Sequence, residues 1–260
     1  MKKIAKIFAL AMSVMMLCAA FAGCGDKENT IIYGTSADYA PYEFHILQDG
    51  KDTIVGYDVS LAKFIAEEAK MEMEIKDIGF DFLIQELKNG TIDMVIAAME
   101  EDAERAKEAD FSDPYYLDEP PMILVRKADT ANFTTIADFS GKTVGAQAAT
   151  TKEDLVTSDM EGAKLLSLTT VPDLVNNLMF NKCDAVVLDA AVARQYAEAN
   201  SDLVISDVAL GVAAPYRVAV KKGDPKNLLP IINEAIKKAD EQGLLVTWMD
   251  EAIALSGSAN

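Results

Sequence analysis

The strongest constraint on this chain is a pattern that appears twice: short apolar runs alternating with stretches of helical spacing. In the first half, Ile31–Tyr33 reads as a strand. Residues 56–68 follow with Leu61, Phe64 and Ile65 on one helical face and Asp58 as a plausible cap. Met71–Ile75 (MEMEI) alternates as a half-buried strand, Phe80–Leu87 reads as a helix, and Met94–Ala97 as a buried strand. From Pro120-Pro121 onward the pattern starts again. Strands are expected at Met122–Val125, Thr143–Gln147, Leu165–Leu168, Ala185–Leu188, Leu203–Ile205 and Tyr216–Val220. Between them a short helix is expected over 136–142, then helices after Lys152, over 172–181 and up to Ala199; 228–242 is a long helix and 244–255 a tail. Strand–helix alternation of this kind specifies an α/β protein with mostly parallel sheets covered by helices. Two such units predict two lobes.

The first residues are of another kind. Lys2, Lys3 and Lys6 form a basic start, and residues 7–22 are apolar and uncharged. That run falls short of the roughly 20 residues of a comfortable membrane span. Residues 21–24 (FAGC) then resemble a bacterial lipobox, which gives residues 1–23 as a lipoprotein signal peptide. Cys24 becomes the lipidated residue, and 24–30 a short tether. A plain signal peptide followed by a stray Cys is the alternative. Cys183 is then the single thiol of the mature chain, so neither a disulfide nor a thiolate metal cluster can form; it reads as a packed core residue. One histidine, His45, argues against His-based catalysis or metal ligation, and no metal or cofactor is expected. Without its three N-terminal lysines the chain carries 21 basic against 42 acidic residues, a surface that repels nucleic acid and anionic lipid. Membrane contact is therefore expected through the lipid alone.

In open α/β sheets, ligands bind beyond the carboxyl ends of the strands. The loops after Tyr33, Ala97, Gln147 and Leu188 lie at such ends. After Ala97, Asp102 is placed to accept from free backbone donors of a helical turn, and Arg105 follows at the strand mouth. There its guanidinium fork suits a carboxylate, although pairing with one of the neighbouring acids is the plainer alternative. Thr150 and Thr151 offer hydroxyls and N–H groups at a helix start, or simply cap it. Asp189 offers an acceptor for an ammonium, or a helix N-cap. Tyr39, Tyr42 and Phe80 offer aromatic walls or core packing. Asp93 and Asp184, each just before a strand, read as turn formers. A positive fork, a carboxylate and an apolar wall match an α-amino acid.

Six segments, in order and spacing, make the chain similar to the extracytoplasmic solute-binding proteins of polar amino acid ABC transporters. They are YAPYEF at 39–44, GYDVSLA at 56–62, GTID at 90–93, Glu104-Arg105, DFSDPY at 110–115 and KKGD at 221–224. The resemblance covers essentially the whole mature chain. It implies the type 2 periplasmic-binding-protein fold: two α/β lobes joined by two crossover strands that close on the ligand. Lobe 1 would comprise 31–116 and 217–260, and lobe 2 residues 117–216, with crossovers near 115–119 and 212–216. It also implies roles for single residues. Arg105 would take the ligand carboxylate, with Thr151 as its backbone partner from the second lobe. Asp189 would take the ammonium, helped by the carbonyl of Ala98, while Tyr39 and Phe80 form the walls and Ser36 reads the ligand side chain. The partners implied are an amino acid, an ABC permease and the membrane through the lipid, with the protein a monomer.

The chain departs from the pattern at Glu100, where the family often has Thr or Ser five residues before the arginine, and at Ala149, where it has Gly. Glu100 either faces the cleft and favours a basic ligand, or pairs with Arg105 in the empty protein or turns to solvent. Two alternatives to transport follow from the resemblance: a fold-related enzyme such as a cyclohexadienyl dehydratase, with Glu100 as an acid, and a sensor that binds the same ligand.

Overall fold

A computed structural model describes residues 29–258; the expected signal peptide, Cys24 and most of the tether lie outside them. From Ile31 onward the described chain forms one compact unit. Its frame is two five-stranded sheets and a small three-stranded one. The first large sheet has the order β5-β1-β6-β13-β7, from β1 (Thr30–Thr35), β5 (Glu72–Asp77), β6 (Met94–Val95), β7 (Ala109–Leu117) and β13 (Pro215–Lys221). The second has the order β10-β9-β11-β8-β12, from β8 (Met122–Arg126), β9 (Thr143–Gln147), β10 (Lys164–Leu168), β11 (Ala185–Leu188) and β12 (Leu203–Ile205). These are the two lobes of the fold. The chain leaves the first sheet after Leu117 and returns at Pro215, and the two passages pair antiparallel, Leu117 opposite Pro215.

Both sheets are mixed rather than mostly parallel. β1 runs parallel to β6, and β9 parallel to β10 and β11. β13 is antiparallel to β6 and β7, and β8 antiparallel to β11 and β12. The antiparallel strands in each sheet are those flanking the crossings between lobes, where no helix intervenes to reverse the chain.

The helices follow their apolar spacing. α1 (Tyr57–Ala69) buries Leu61, Ala62, Ile65 and Ala66 and ends on a left-handed Lys70. Asp58 does not cap it: the residue is buried, and its Oδ2 accepts from the Ala98 amide at 2.7 Å and the Tyr115 hydroxyl at 2.9 Å. Gly56 precedes it at φ 132°, where a Cβ would lie 2.2 Å from the Tyr42 carbonyl oxygen, so only glycine fits. A 3-10 turn (Phe80–Phe82) leads into α2 (Leu83–Asn89), and α3 (Arg105–Glu108) is a single turn. The short helix expected over 136–142 is a 3-10 turn at Ile136–Phe139. In the second lobe lie α4 (Thr151–Ser158), α5 (Val171–Met179) and α6 (Ala190–Ala199). Thr170 caps α5 by accepting from the Asp173 amide, with Pro172 in the first turn. α7 (Leu229–Glu241) buries Ile232, Ala235, Ile236 and Ala239, and α8 (Leu244–Ser258) follows it. None of the described helices is long and apolar enough to cross a membrane.

Four strands escaped the sequence reading. β2 (Asp38–Tyr39), β3 (Glu43–Gln48) and β4 (Lys51–Val55) form an antiparallel hairpin sheet turned at Asp49-Gly50. Residues 109–117, for which no strand was expected, form the nine-residue strand β7. The strand expected over 94–97 is shorter, because after Val95 the chain turns to a left-handed Ala98 (φ 44°). Asp93 and Asp184 act within the sheets, accepting from the Ile32 and Thr143 amides. Cys183 is buried, and burial pushes its thiol up to about 11.

Candidate functional site

The carboxyl ends of β1, β6, β9 and β11 converge on one cavity. β1 runs into Ser36, Asp38 and Tyr39; the turn after β6 brings Ala97, Ala98 and Glu100; α3 carries Arg105. β9 ends at Gln147 and leads through Ala149 (φ 61°) to Thr150, Thr151 and Lys152, while β11 ends at Asp189. Phe80, after β5, and Glu43, on β3, complete the lining. All nine residues expected to contact a ligand (Ser36, Tyr39, Phe80, Ala98, Glu100, Arg105, Thr150, Thr151 and Asp189) line this cavity. Tyr42 does not. It stacks on Tyr39 and meets Tyr57, Tyr116 and Tyr216 edge-on, and its hydroxyl donates to Asp118 at 2.9 Å.

Arg105 is held from both lobes. Its Nη1 donates to the Glu100 carbonyl at 2.6 Å and its Nη2 to the Ala149 carbonyl at 2.7 Å, while its Nε lies 3.2 Å from Asp102 Oδ2. The other Asp102 oxygen accepts from the Glu104 and Arg105 amides, as its capping role requires. The Arg105 guanidinium carbon lies 5.3 Å from the Phe80 ring centre, in cation–π range. Burial lowers the Arg105 pKa and the nearby acids oppose that; a guanidinium stays charged throughout. These contacts use three of its five N–H donors, leaving two for an incoming anion.

The opposite end of the cavity holds a residue the sequence reading passed over. Lys152 Nζ lies 2.6 Å from Asp189 Oδ1 and 3.2 Å from Glu100 Oε1, and all three side chains are nearly buried. The remaining carboxylate oxygens are taken too, Asp189 Oδ2 by the Tyr39 hydroxyl at 2.7 Å and Glu100 Oε2 by the Thr151 hydroxyl. Burial works against the Lys152 charge, but Asp189 and Glu100 outweigh it and raise its pKa. Glu100 therefore faces the cleft, with its carboxylate neither paired with Arg105 nor turned to solvent. Its carboxylate meets Thr151 and Lys152; only its backbone carbonyl meets Arg105, and it is 6% exposed. Asp189 begins α6 by position, but its side chain caps nothing and turns into the cavity. Thr150 likewise starts α4 without a capping bond, its hydroxyl donating to the Gln147 carbonyl at 2.7 Å.

A third group of residues lies near Ser36. Asp38 accepts from the Val171 amide across the cleft at 2.9 Å and from the Ser36 hydroxyl at 3.3 Å. Glu43 is 1% exposed, and its carboxyl is hydrogen-bonded to the buried Asp58 carboxyl. Burial pushes the Glu43 carboxyl well above the usual range, with the Asp58 charge adding to it. Two buried carboxyls sharing one proton keep a negative charge behind the cavity wall, and with Asp38 beside them that wall suits a cationic group.

Against known proteins, residues 31–251 match the family of bacterial extracellular solute-binding proteins, family 3. The chain belongs to this family. The arginine-binding extracellular protein ArtP of Bacillus subtilis is 35% identical over 229 residues, 86% of each chain. The L-cystine-binding protein TcyJ of Escherichia coli K12 is 26% identical over 244 residues, 92% of this chain and 90% of TcyJ. Among solved structures, AbpA of Streptococcus pneumoniae, an amino acid ABC transporter substrate-binding protein bound to L-arginine, superposes with a TM-score of 0.84 at 32% identity. That likeness covers 88% of this chain and 96% of AbpA. The fold is that of the type 2 periplasmic binding proteins. For this family 3 solute-binding protein, membership and relatives together support extracellular amino acid binding and delivery to an ABC transporter permease.

Proposed function

We propose that the amino acid is captured in the Arg105–Asp189 cavity and that its side chain is cationic, of the arginine class. The ligand carboxylate would bond to the two remaining Arg105 donors and the Thr151 amide, and its ammonium would reach Asp189 and the Ala98 carbonyl. Tyr39 and Phe80 would flank the side chain. Its far end would lie by Ser36, Asp38 and Glu43. The observation that carries the cationic reading is the acidity of that wall, where Asp38 and the buried Glu43 line the cavity and Glu43 is bonded in turn to Asp58. The arginine-binding relatives ArtP and AbpA favour the same class. Glu100 is not its reader, because Lys152 and Thr151 already engage it.

Capture proceeds by closure of lobe 1 (31–116 and 217–260) on lobe 2 (117–216) about the paired strands β7 and β13. Ligand favours the closed form only through contacts the open form lacks. The acids of the cavity serve binding, not turnover: Glu100 is held by a lysine, and the single histidine, His45, sits on the surface between Asp52 and Asp77. Cys24 would carry the lipid that keeps the protein at the membrane surface. Replacing it with Ala should release the protein into the medium, and retention of that variant on the cells would remove the anchor.

The test is a thermal-shift panel on the chain from Gly25 with arginine, lysine, ornithine, histidine, glutamine and cystine. At a hundredfold excess over Kd, binding stabilises by about 2.7 kcal/mol. Shifts with the basic amino acids alone are expected. A shift led by glutamine or cystine would remove the cationic assignment.

A further inference from the structure

We infer that Lys152 is a tethered stand-in for the ligand ammonium: it occupies the Asp189 subsite in the closed cleft and yields it when ligand enters. The ligand half of this inference rests on the amino acid reading above. Its ammonium, like the one expected of an amino acid, lies 2.6 Å from Asp189 Oδ1. With Tyr39 on Oδ2, both oxygens of Asp189 already have partners from the chain itself. The cavity's free volume is about 10 Å³, room for about one water. A ligand ammonium entering so small a space meets Lys152 at Asp189 and competes with it for that carboxylate.

Glu100 makes that displacement possible. A buried ammonium without a partner is strongly disfavoured, but Lys152 keeps Glu100 Oε1 at 3.2 Å when it gives up Asp189. The departure from the family pattern at Glu100 and the lysine after the two threonines therefore form one device. Lys152 and Thr151 reach Glu100 from the second lobe, while Glu100 belongs to the first-lobe segment just after β6. The pair thus links the lobes with charges the chain supplies itself. The ligand's advantage for the closed form is reduced by whatever Lys152 already contributes.

The test combines affinity with lobe separation. Calorimetry with arginine should show Lys152→Gln binding about tenfold more tightly than the unaltered protein. Glu100→Gln should bind about tenfold more weakly, because displaced Lys152 then has no second seat. The double variant should bind nearly as Lys152→Gln does, a coupling that independent sites would not show. Separately, spin labels on cysteines introduced at the exposed positions Glu72 and Lys164, one per sheet, report the interlobe distance without ligand. Lys152→Gln should shift that distribution to longer distances.

Unchanged or weaker arginine binding in Lys152→Gln would overturn the stand-in role, since it would make the lysine a bystander or a ligand contact. An unchanged distance distribution would overturn its role in closure. If no amino acid binds any of the proteins, the functional reading fails, and the label distances alone decide whether Lys152 holds the lobes.

Discussion

The two charged ends of the cavity are built from the same materials and arrive at opposite conditions. At one end, Arg105 is anchored by two backbone carbonyls and Asp102, and two of its donors remain to be used. At the other, Asp189 is closed by the chain's own ammonium and a tyrosine hydroxyl. The carboxylate end is preorganised, so its contacts add to affinity directly. The ammonium end must first undo a contact, so it contributes only a difference. Burying opposite charges in a cleft does not by itself make a receptor; what counts is whether each charge is left with capacity for the ligand.

That contrast orders the expected effects. Arg105→Ala should cost most, since losing one partner of a buried charge pair costs about 2–5 kcal/mol. Calorimetry should show arginine affinity down at least about thirtyfold with cooperative unfolding retained; near-normal affinity would remove Arg105 from the site. Asp189→Asn should weaken binding less, because the contact it removes was already shared with Lys152. A loss larger than that of Arg105→Ala would reverse the asymmetry.

Behind the cavity, burial pushes the Asp58 carboxyl up to about 6 while its oxygen positions Ala98. A carboxyl whose folded pKa is raised favours the folded state when protonated. Its contribution is full at low pH and is lost as pH rises from about 4 to about 6. Relative to Asp58→Asn, the unaltered protein should therefore lose up to about 3 kcal/mol of stability across that window. Denaturant titrations at pH 4 and pH 7 would measure it, and a constant gap would show that Asp58 stays ionised.

The smallest effect belongs to the surface. Burial opposes the His45 charge, but hydrogen bonds to Asp52 and Asp77 prevail and raise its pKa. Its stabilisation should be present below the usual histidine pKa and fade as pH rises through the raised one. Exposed pairs of this kind contribute about 0.2–1 kcal/mol. His45→Asn should thus lower stability slightly at pH 5.5 and not at pH 8.5, with ligand affinity unaffected.

Much of this was legible in the residues, and what was missed has physical reasons. Strands β9, β11 and β12 stand at the residues expected for them, and loops at strand ends gathered Tyr39, Arg105, Thr151 and Asp189 into one cavity. The hairpin of β3 and β4 was readable from Asp49-Gly50 between alternating runs, the strongest short-range hairpin signal. β7 carries Pro114, which hides a strand, yet proline is tolerated on an edge, and β7 is the edge of its sheet. Lys152 was overlooked beside two threonines that looked like an anion site. Its signal was positional: a lysine in the first turn of a helix opposes the helix dipole, so a nearby acid had to compensate it. Glu100, out of pattern, was that acid. Pairing the two needed the fold, because they lie 52 residues apart in sequence and are brought together across the two sheets.

The most direct measurement is a crystal structure of the arginine complex. The ligand carboxylate should lie on the Arg105 guanidinium and its ammonium on Asp189, with Lys152 withdrawn to Glu100 and the ligand guanidinium against Glu43. Arginine bound elsewhere, or bound with Lys152 still on Asp189 and the ligand ammonium on another group, would contradict the assignment of the two ends.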